Sequence, residues 1–292
     1  PFEFQDGDRV VFVGATFFER AQLSEHLEAT LTGTLGNKHV TFRNLGWSAD
    51  TTYADSRGIF DKPDVGYLRM VEHIRAEEPT VAFICYGQNE ALTAGMTPDQ
   101  YSLQLGKMLD ELAASGIACV LVAPHELLPT APPIPSPSRF NPKIKVYAEA
   151  TSSVAQSRGL LFVDMFTDFT KRMLEVDAEI TKTNAANPSA VYASLSENGM
   201  HLTAHGYQCA ARIFTERLLG SSESFRSEAP SHYDARRELI MKKNELYFHR
   251  WRPQNITYLF GFRKHEQGNN AADIAKFDPF ILELEKQIHE LQ

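Results

Sequence analysis

The chain has 292 residues, a net charge of −8 and a hydrophobic fraction of 43%, values typical of an acidic globular protein that can bury a large core. The acidic balance argues against a nucleic-acid-binding protein, because affinity for phosphate requires clustered Lys and Arg side chains. No apolar run approaches the roughly 18 residues that span a bilayer, so we expect no membrane segment.

Three cysteines, Cys85, Cys119 and Cys209, are too few to form a disulfide framework. Each lies within an apolar run, which predicts three buried free thiols. None stands at a turn beside a helix start, so none is expected to act as a nucleophile.

Alternating strand and helix patterns organise the first 220 residues. Apolar runs rich in β-branched residues predict strands at residues 9–13, 40–44, 80–86, 118–123 and 160–164. Helical spacing predicts helices at residues 18–31, 67–75, 98–114, 145–158 and 203–218. This alternation predicts an α/β fold, a three-layer α/β/α sandwich with a mostly parallel five-stranded sheet. Sites in such folds lie beyond the carboxyl ends of the strands.

Two connections are expected to flank that edge of the sheet. Residues 128–142 carry six prolines and predict a stiff, extended loop that is either a rim of the site or a plain surface connection. Residues 182–198 form a polar stretch and are expected to shape the other wall.

A stretch rich in Ser and charge at residues 220–231 predicts a boundary between a domain at 1–220 and an extension at 221–292. Helical patterns at 233–247 and 279–292 flank a segment that mixes aromatic and cationic residues. Two interpretations remain open for this segment. It is either a binding surface for an anionic or sugar partner, or an extension that wraps back with its rings buried and its cations on carboxylates.

Residues suited to acyl transfer follow the predicted strands. This chemistry needs an activated nucleophile, a base, and donors aimed at the developing oxyanion. Thr16 follows the first strand and is the candidate nucleophile, while His201 is the candidate base. The candidate oxyanion hole consists of the backbone N–H groups of Thr16 and Gly46 and the side-chain amide of Asn89. A helix beginning near residue 17 would add its positive end.

Four segments, in order, resemble the sequence blocks of the SGNH/GDSL hydrolase superfamily. Gly-Ala-Thr at 14–16 aligns with Gly-Asp-Ser, and Asn-Leu-Gly-Trp at 44–47 resembles the start of the second block. Gly-Gln-Asn-Glu at 87–90 is similar to Gly-x-Asn-Asp, and Asn-Gly-Met-His at 198–201 is similar to Asp-x-x-His. The resemblance spans about residues 8–219 and is closest to a bacterial Gly-Asp-Thr subgroup with an aromatic-basic tail.

The resemblance implies a flavodoxin-like SGNH fold and hydrolysis of a small ester, such as an acyl group on a carbohydrate. It implies the nucleophile role of Thr16, the base role of His201 and an orienting role for Asn198. It also implies that no cofactor is needed, and it favours a periplasmic or secreted location. A homo-oligomer or a larger polypeptide context is compatible with it.

Two departures from the family pattern affect the nucleophile block. Thr16 replaces Ser, and its β-methyl group restricts χ1. Thr16 and Glu19 also match a capping box, in which Thr16 would cap a helix and Glu19 would return the bond. Ala15 replaces an Asp that supports the nucleophile loop in the family.

A third departure affects the base. Asn198 replaces the Asp that orients the histidine, and the comparable Asp→Asn change in a serine protease triad costs about 10⁴ in turnover. Glu197 or Asp164 would have to compensate. Together the three departures leave a second function open, a binding or interaction module, in effect a pseudoenzyme, that has kept the cleft and lost turnover.

His201 has competitors. His205 follows it by four residues and would share a helix face with it, while His125 follows the fourth predicted strand as a supporting candidate. A metal site formed by His125, His201 and Glu90 has no support from HExxH or paired-cysteine spacing, so no metal is expected. The aromatic residues near the strand ends, Phe17, Phe18, Trp47 and Tyr86, would contact an acyl or sugar group or lie in the core.

Overall fold

A parallel five-stranded sheet forms the centre of the computed structural model, which describes residues 1–93, 95–182, 188–220 and 228–292. The strands are β1 (Arg9–Gly14), β2 (Thr41–Asn44), β3 (Val81–Cys85), β4 (Ala118–Val122) and β5 (Leu161–Val163). Their order is β2-β1-β3-β4-β5, and every neighbouring pair is parallel. The predicted five strands and the α/β fold class are confirmed.

Both faces of the sheet are covered, because successive side chains of a strand point to opposite faces. Val11 and Val13 of β1 belong to one apolar cluster, whereas Val10 and Phe12 belong to another on the opposite face. The continuous apolar runs seen in the sequence are therefore strands buried on both sides, as in parallel sheets.

Helices connect the strands and form the two outer layers. They are α1 (Thr16–Ala21), α2 (His26–Thr32), α3 (Pro63–Ala76), α4 (Gln88–Leu92), α5 (Pro98–Ala114), α6 (Asn141–Arg158), α7 (Phe169–Thr181), α8 (Pro188–Leu195) and α9 (Ala204–Leu219), with 3₁₀ turns at Asp55–Arg57 and Pro137–Phe140. The helix predicted at residues 98–114 has the observed bounds of α5.

The helix predicted at residues 18–31 is in fact two helices, α1 and α2. Glu25 breaks it, because this residue adopts a left-handed backbone with φ of 55° at the start of α2. The side chain of Glu25 is buried beside polar side chains from the far end of the chain. Helical spacing continues through the break, so the sequence pattern does not show it.

The proline-rich connection is shorter than predicted. Pro142 belongs to the first turn of α6, where proline is tolerated because the missing N–H has no intrahelical acceptor. The helix α8 lies within the stretch 182–198 that was expected to be a polar wall; positions 183–187 of that stretch lie outside the described residues.

The C-terminal segment consists of α10 (Pro230–Trp251), α11 (Ile256–Leu259), α12 (Lys264–Gln267), a 3₁₀ stretch (Gly268–Phe277) and α13 (Asp278–His289). The predicted boundary at 220–231 falls largely on residues 221–227, which lie outside the described residues. In the segment that mixes aromatic and cationic residues, Arg250 pairs with Asp278 and Trp251 is buried, whereas Phe260 and Phe262 are exposed.

Two expectations about single residues and segments can be compared directly with the fold. Cys85, Cys119 and Cys209 are free and buried, as predicted. Within the described ranges, no helix combines the length and the apolar run that crossing a bilayer requires.

Candidate active site

Thr16 is the first residue of α1, directly beyond the carboxyl end of β1. Its Oγ1 accepts a hydrogen bond from the backbone N–H of Ala49 at 3.2 Å. The capping-box interpretation is wrong: Ala15 is the N-cap residue, and no side-chain cap bond is made. The carboxylate of Glu19 instead accepts from the backbone N–H of Ser48 at 2.6 Å and from Arg252 at 2.5 Å.

Gly46 lies against the first helix, and only glycine fits there. A Cβ atom at this position would lie 2.4 Å from the backbone nitrogen of Glu19. The N–H of Gly46 donates to Oδ1 of Asn44 at 2.9 Å, and the amide of Asn44 donates to the carbonyl of Phe18 at 2.6 Å. These bonds hold the loop after β2 beside the nucleophile block. The N–H of Gly46, a candidate oxyanion donor, is therefore bonded to Asn44 in this structure.

Asn89 lies near the start of α4, beyond the end of β3. Its Nδ2 donates to the backbone carbonyl of Asp50 at 2.7 Å. The Asp50 carboxylate is buried and pairs with the buried guanidinium of Arg57 at 2.7 Å, while the Tyr86 hydroxyl donates to the same carboxylate at 3.2 Å. The loops after β2 and β3 are therefore joined by a buried polar network next to the candidate site.

Glu90 also joins these two loops. One carboxylate oxygen accepts from the backbone N–H of Thr52 and the other from that of Gly87, both at 2.8 Å. Burial raises the pKa of Glu90 to about 7 against the lowering effect of these bonds. Both carboxylate oxygens of Glu90 therefore have backbone N–H partners, so the burial of this side chain is explained without a metal.

His201 precedes α9 and is half-buried. Burial lowers its pKa below the ordinary value, the charge of Arg20 lowers it further, and the charge of Glu197 opposes both. An imidazole with a lowered pKa is neutral near pH 7, as a general base must be. Thr16 and His201 both belong to the described part of the chain, and no hydrogen bond joins the Thr16 hydroxyl to the His201 ring.

Asn198 holds backbone rather than the imidazole. Its Oδ1 accepts from the backbone N–H groups of Met200 at 3.0 Å and His201 at 2.8 Å, which folds the turn before α9. The expected side-chain bond from Asn198 to the His201 ring is absent between these described residues. Asn198 therefore shapes the backbone turn that carries His201.

The two proposed substitutes for the orienting carboxylate are also engaged elsewhere. Glu197 forms an ion pair with Arg20 at 3.0 Å. Asp164 accepts from the backbone N–H groups of Phe166 and Thr167, both at 2.9 Å. Glu197 still affects His201, because its negative charge acts to raise the pKa of the ring.

The competing histidines lie in other surroundings. His205 is on α9, whereas His201 precedes this helix, so the expected shared helix face does not exist. The Nε2 of His205 lies 2.6 Å from Oδ1 of Asp177 on α7. His125 is buried, its Nδ1 lies 2.7 Å from the carbonyl of Glu126, and burial lowers its pKa to about 4.

The metal site considered from His125, His201 and Glu90 does not form. Within the described part of the chain, the one group of three neighbouring donor side chains is Asp177, His205 and Cys209. Asp177 and His205 are hydrogen-bonded to each other. Burial raises the pKa of the Cys209 thiol to about 12, which disfavours the thiolate that binds a metal.

Little open space remains beyond the central strands. Phe17, Phe18, Trp47 and Tyr86 are all buried, so these aromatic residues belong to the core. The cavity beside Ala15, lined by residues that include Phe17 and Tyr86, has a volume of about 10 Å³, which is about the space of one water molecule. This cavity has no room for a substrate.

Sequence reasoning missed the side chains that connect the blocks. Glu19 links α1 to Ser48 and Arg252, Arg20 links α1 to Glu197, and the buried Arg57 clamps the loop through Asp50. The one local signal was the charged pair 19–20 directly after the nucleophile block. Their partners lie up to 233 residues away in the chain, so spacing could not reveal them.

Comparisons with known proteins agree with this architecture. A catalytic mutant of Axe2, an acetylxylan esterase from Geobacillus stearothermophilus, is 16% identical, with 78% of this chain and 100% of that chain covered and a TM-score of 0.54. The acetyl xylan esterase AlAXEase is 18% identical, with 70% and 96% covered and a TM-score of 0.51. These likenesses show the fold. No curated protein sequence matches the chain.

The sequence-family comparison covers the same domain. The sequence model of the "GDSL-like Lipase/Acylhydrolase family" matches residues 10–209. This span includes Thr16, Gly46, Asn89 and His201. This span is more than half of the chain and runs from β1 into α9. The chain therefore belongs to the GDSL-like lipase/acylhydrolase family.

Proposed function

We propose that the chain is an ester hydrolase that removes a small acyl group, with an acylated carbohydrate as its substrate. The observation that carries the proposal is the joining of the four blocks in space. The backbone of the second block donates to Thr16 and Glu19, and the side chain of Asn89 reaches the same loop at Asp50. Glu197, directly before the fourth block, pairs with Arg20 of α1. The acetylxylan esterases with this fold support the substrate class.

In the proposed mechanism, the Thr16 hydroxyl attacks the ester carbonyl while His201 accepts its proton. The acyl group forms an ester with Thr16, His201 returns the proton to the leaving alkoxide, and water then repeats the sequence to release the acid. The lowered pKa of His201 keeps the ring able to accept a proton near pH 7. The N–H of Thr16 stands at the first turn of α1, where no intrahelical acceptor exists.

A substrate that uses the single N–H of Gly46 would have to displace its existing bond to Asn44. The N–H of Gly46, the amide of Asn89 and the hydroxyl of Thr16 each have a partner within the chain. This observation favours a second candidate function, a module that binds an acylated sugar without turnover. The two functions share the site and differ in whether Thr16 attacks the bound ester.

The test is hydrolysis of p-nitrophenyl acetate and of acetylated xylo-oligosaccharide by the full chain. We expect Thr16→Ala and His201→Ala each to lower kcat/KM by about 10²-fold or more, because nucleophile and base are removed. Thr16→Ser removes the β-methyl group and is expected to retain or raise turnover. The double variant Ala15→Asp, Thr16→Ser restores the family pattern and should raise it further.

The Thr16→Ala variant also serves as the background control. Turnover by the natural chain that equals this background would exclude hydrolysis and leave the binding module. Turnover that survives Thr16→Ala but is lost in His201→Ala would instead identify another nucleophile.

A further inference from the structure

We propose that a groove between the hydrolase domain and α10 binds a neutral oligosaccharide. The groove has a volume of about 680 Å³, within the range of about 300–1,000 Å³ that small-molecule sites occupy. One wall comes from α1 and the loops after α1 and β2, and the other from α10. The α10 wall lies beyond the family match, which ends at residue 209.

The groove lies next to residues that contact the segments of the candidate nucleophile and base. Ser48 lines it, and the next residue, Ala49, donates its N–H to Thr16. Arg20 also lines it and pairs with Glu197 of the His201 turn. The cavity beyond the strand ends holds only about 10 Å³, whereas this groove has room for several sugar rings near the Thr16 segment.

The polar lining favours a neutral ligand. The charges of Glu19 and Arg20 are matched by Arg252 and Glu197. Three further lining side chains, Glu238, Lys242 and Glu245, have no hydrogen bond or ion pair among the described residues and carry both signs. Sugar hydroxyls both donate and accept, so one neutral chain can satisfy carboxylates and an ammonium group together. A polyanion would be repelled by the carboxylates.

The apolar lining provides surfaces for sugar rings. Phe248 contributes a partly buried ring, while Leu23 and Met241 are exposed large hydrophobic side chains of the same groove. Aromatic and apolar surface alternating with hydrogen-bonding groups is the lining of ligand sites. The carbon-bearing faces of pyranose rings fit such surfaces, and their hydroxyl edges reach the charged side chains.

Titration calorimetry with the full-length Thr16→Ala variant tests the proposal. The proposal rests on the proposed function only in its explanation of why the protein would bind a sugar. The probes are xylohexaose and cellohexaose as neutral chains, hexagalacturonate as an anionic chain, and decanoate as an acyl chain. We expect a neutral hexasaccharide to bind more tightly than hexagalacturonate or decanoate. Since this variant lacks the nucleophile, binding is measured whether or not the natural chain has esterase activity.

Variants locate the site. Phe248→Ala should weaken neutral-chain binding by about tenfold, which corresponds to about 1.4 kcal/mol, and Glu245→Gln, at an exposed residue, should weaken it several-fold. Phe280→Ala is the matched control, because Phe280 is an exposed ring on α13 outside the groove. Thermal midpoints verify folding of each variant. No binding of either neutral chain, preference for the anionic or acyl probe, or binding unchanged in both groove variants would overturn the proposal.

Discussion

Burial and the charges of Arg20 and Glu197 shift the pKa of His201. The family pattern assigns the orientation of the ring to the position of Asn198, but this side chain bonds to backbone instead. Asn198 is used to fold the turn, and the neighbouring charges belong to Arg20 and Glu197. Burial and Arg20 both lower the pKa of His201. In this chain, burial and a nearby cation together favour the neutral imidazole, without a carboxylate bonded to the ring.

Replacing Arg20 by Gln should therefore raise the pKa of His201 toward its ordinary value. The variant removes a positive charge that disfavours imidazolium and frees Glu197, whose charge favours it. The pH titration of the His201 ring protons by NMR measures the change. The acidic limb of any esterase activity should move to higher pH in the same direction.

Arg20→Lys keeps the positive charge and should leave the titration close to that of the natural chain. Lys171→Gln removes a cation from the exposed face of α7 and is the control for a general charge effect. A pKa that stays constant or falls in Arg20→Gln would contradict the electrostatic account.

At the level of elements, α10 is attached by buried charges to the domain that carries the family match. Lys243 forms an ion pair with Glu28 of α2, and both side chains are buried. Asn244 donates to the second oxygen of the same carboxylate at 2.7 Å. Burial and the charge of Glu28 raise the pKa of Glu25, a neighbouring carboxyl, well above its usual value. Arg236 adds donors to the backbone carbonyl of Ala29.

The variant Lys243→Met should lower the free energy of unfolding by about 3–5 kcal/mol, because it leaves a buried carboxylate without its cation. Urea denaturation measures the loss. Lys242→Met, at the exposed neighbouring residue, should change stability by no more than about 0.5 kcal/mol. The double variant Lys243→Met, Glu28→Met should recover most of the loss, since an apolar pair can replace a buried ion pair. No recovery would point to misfitting side chains instead.

At the level of the molecule, the C-terminal segment covers one side of the family domain. Arg252 lies over the ring of Trp47 at 3.4 Å and pairs with Glu19, while Trp251 packs against the same indole at 6.0 Å. In addition, Arg43 of β2 pairs with Glu285 of α13. These contacts favour the interpretation that the described C-terminal residues, 228–292, form a wrapping extension.

Deletion of residues 221–292 should therefore destabilise the remaining chain. The deletion exposes apolar surface, leaves Glu28 without Lys243 and removes Arg252 from Trp47. Thermal denaturation followed by circular dichroism, with solubility during expression, measures the effect. A soluble fragment of residues 1–220 with an unchanged thermal midpoint would show that the segment is an independent docking module.

The sequence alone determined the α/β alternation, the parallel sheet and the order of the four blocks. These are local properties: a buried strand, a glycine turn and a helix start each lie within about ten residues, and parallel strands bring their carboxyl ends to one edge. The sequence also identified Thr16, Asn89 and His201 as the residues with suitable chemistry.

Only the tertiary structure decided what these residues contact. It assigned Asn198 to a backbone turn, separated α1 from α2 at Glu25, and brought Glu19 to Arg252 across 233 residues. It also filled the space beyond the strands and opened a groove against α10. Side-chain partners and empty volumes depend on the packing of distant segments, which no local pattern encodes.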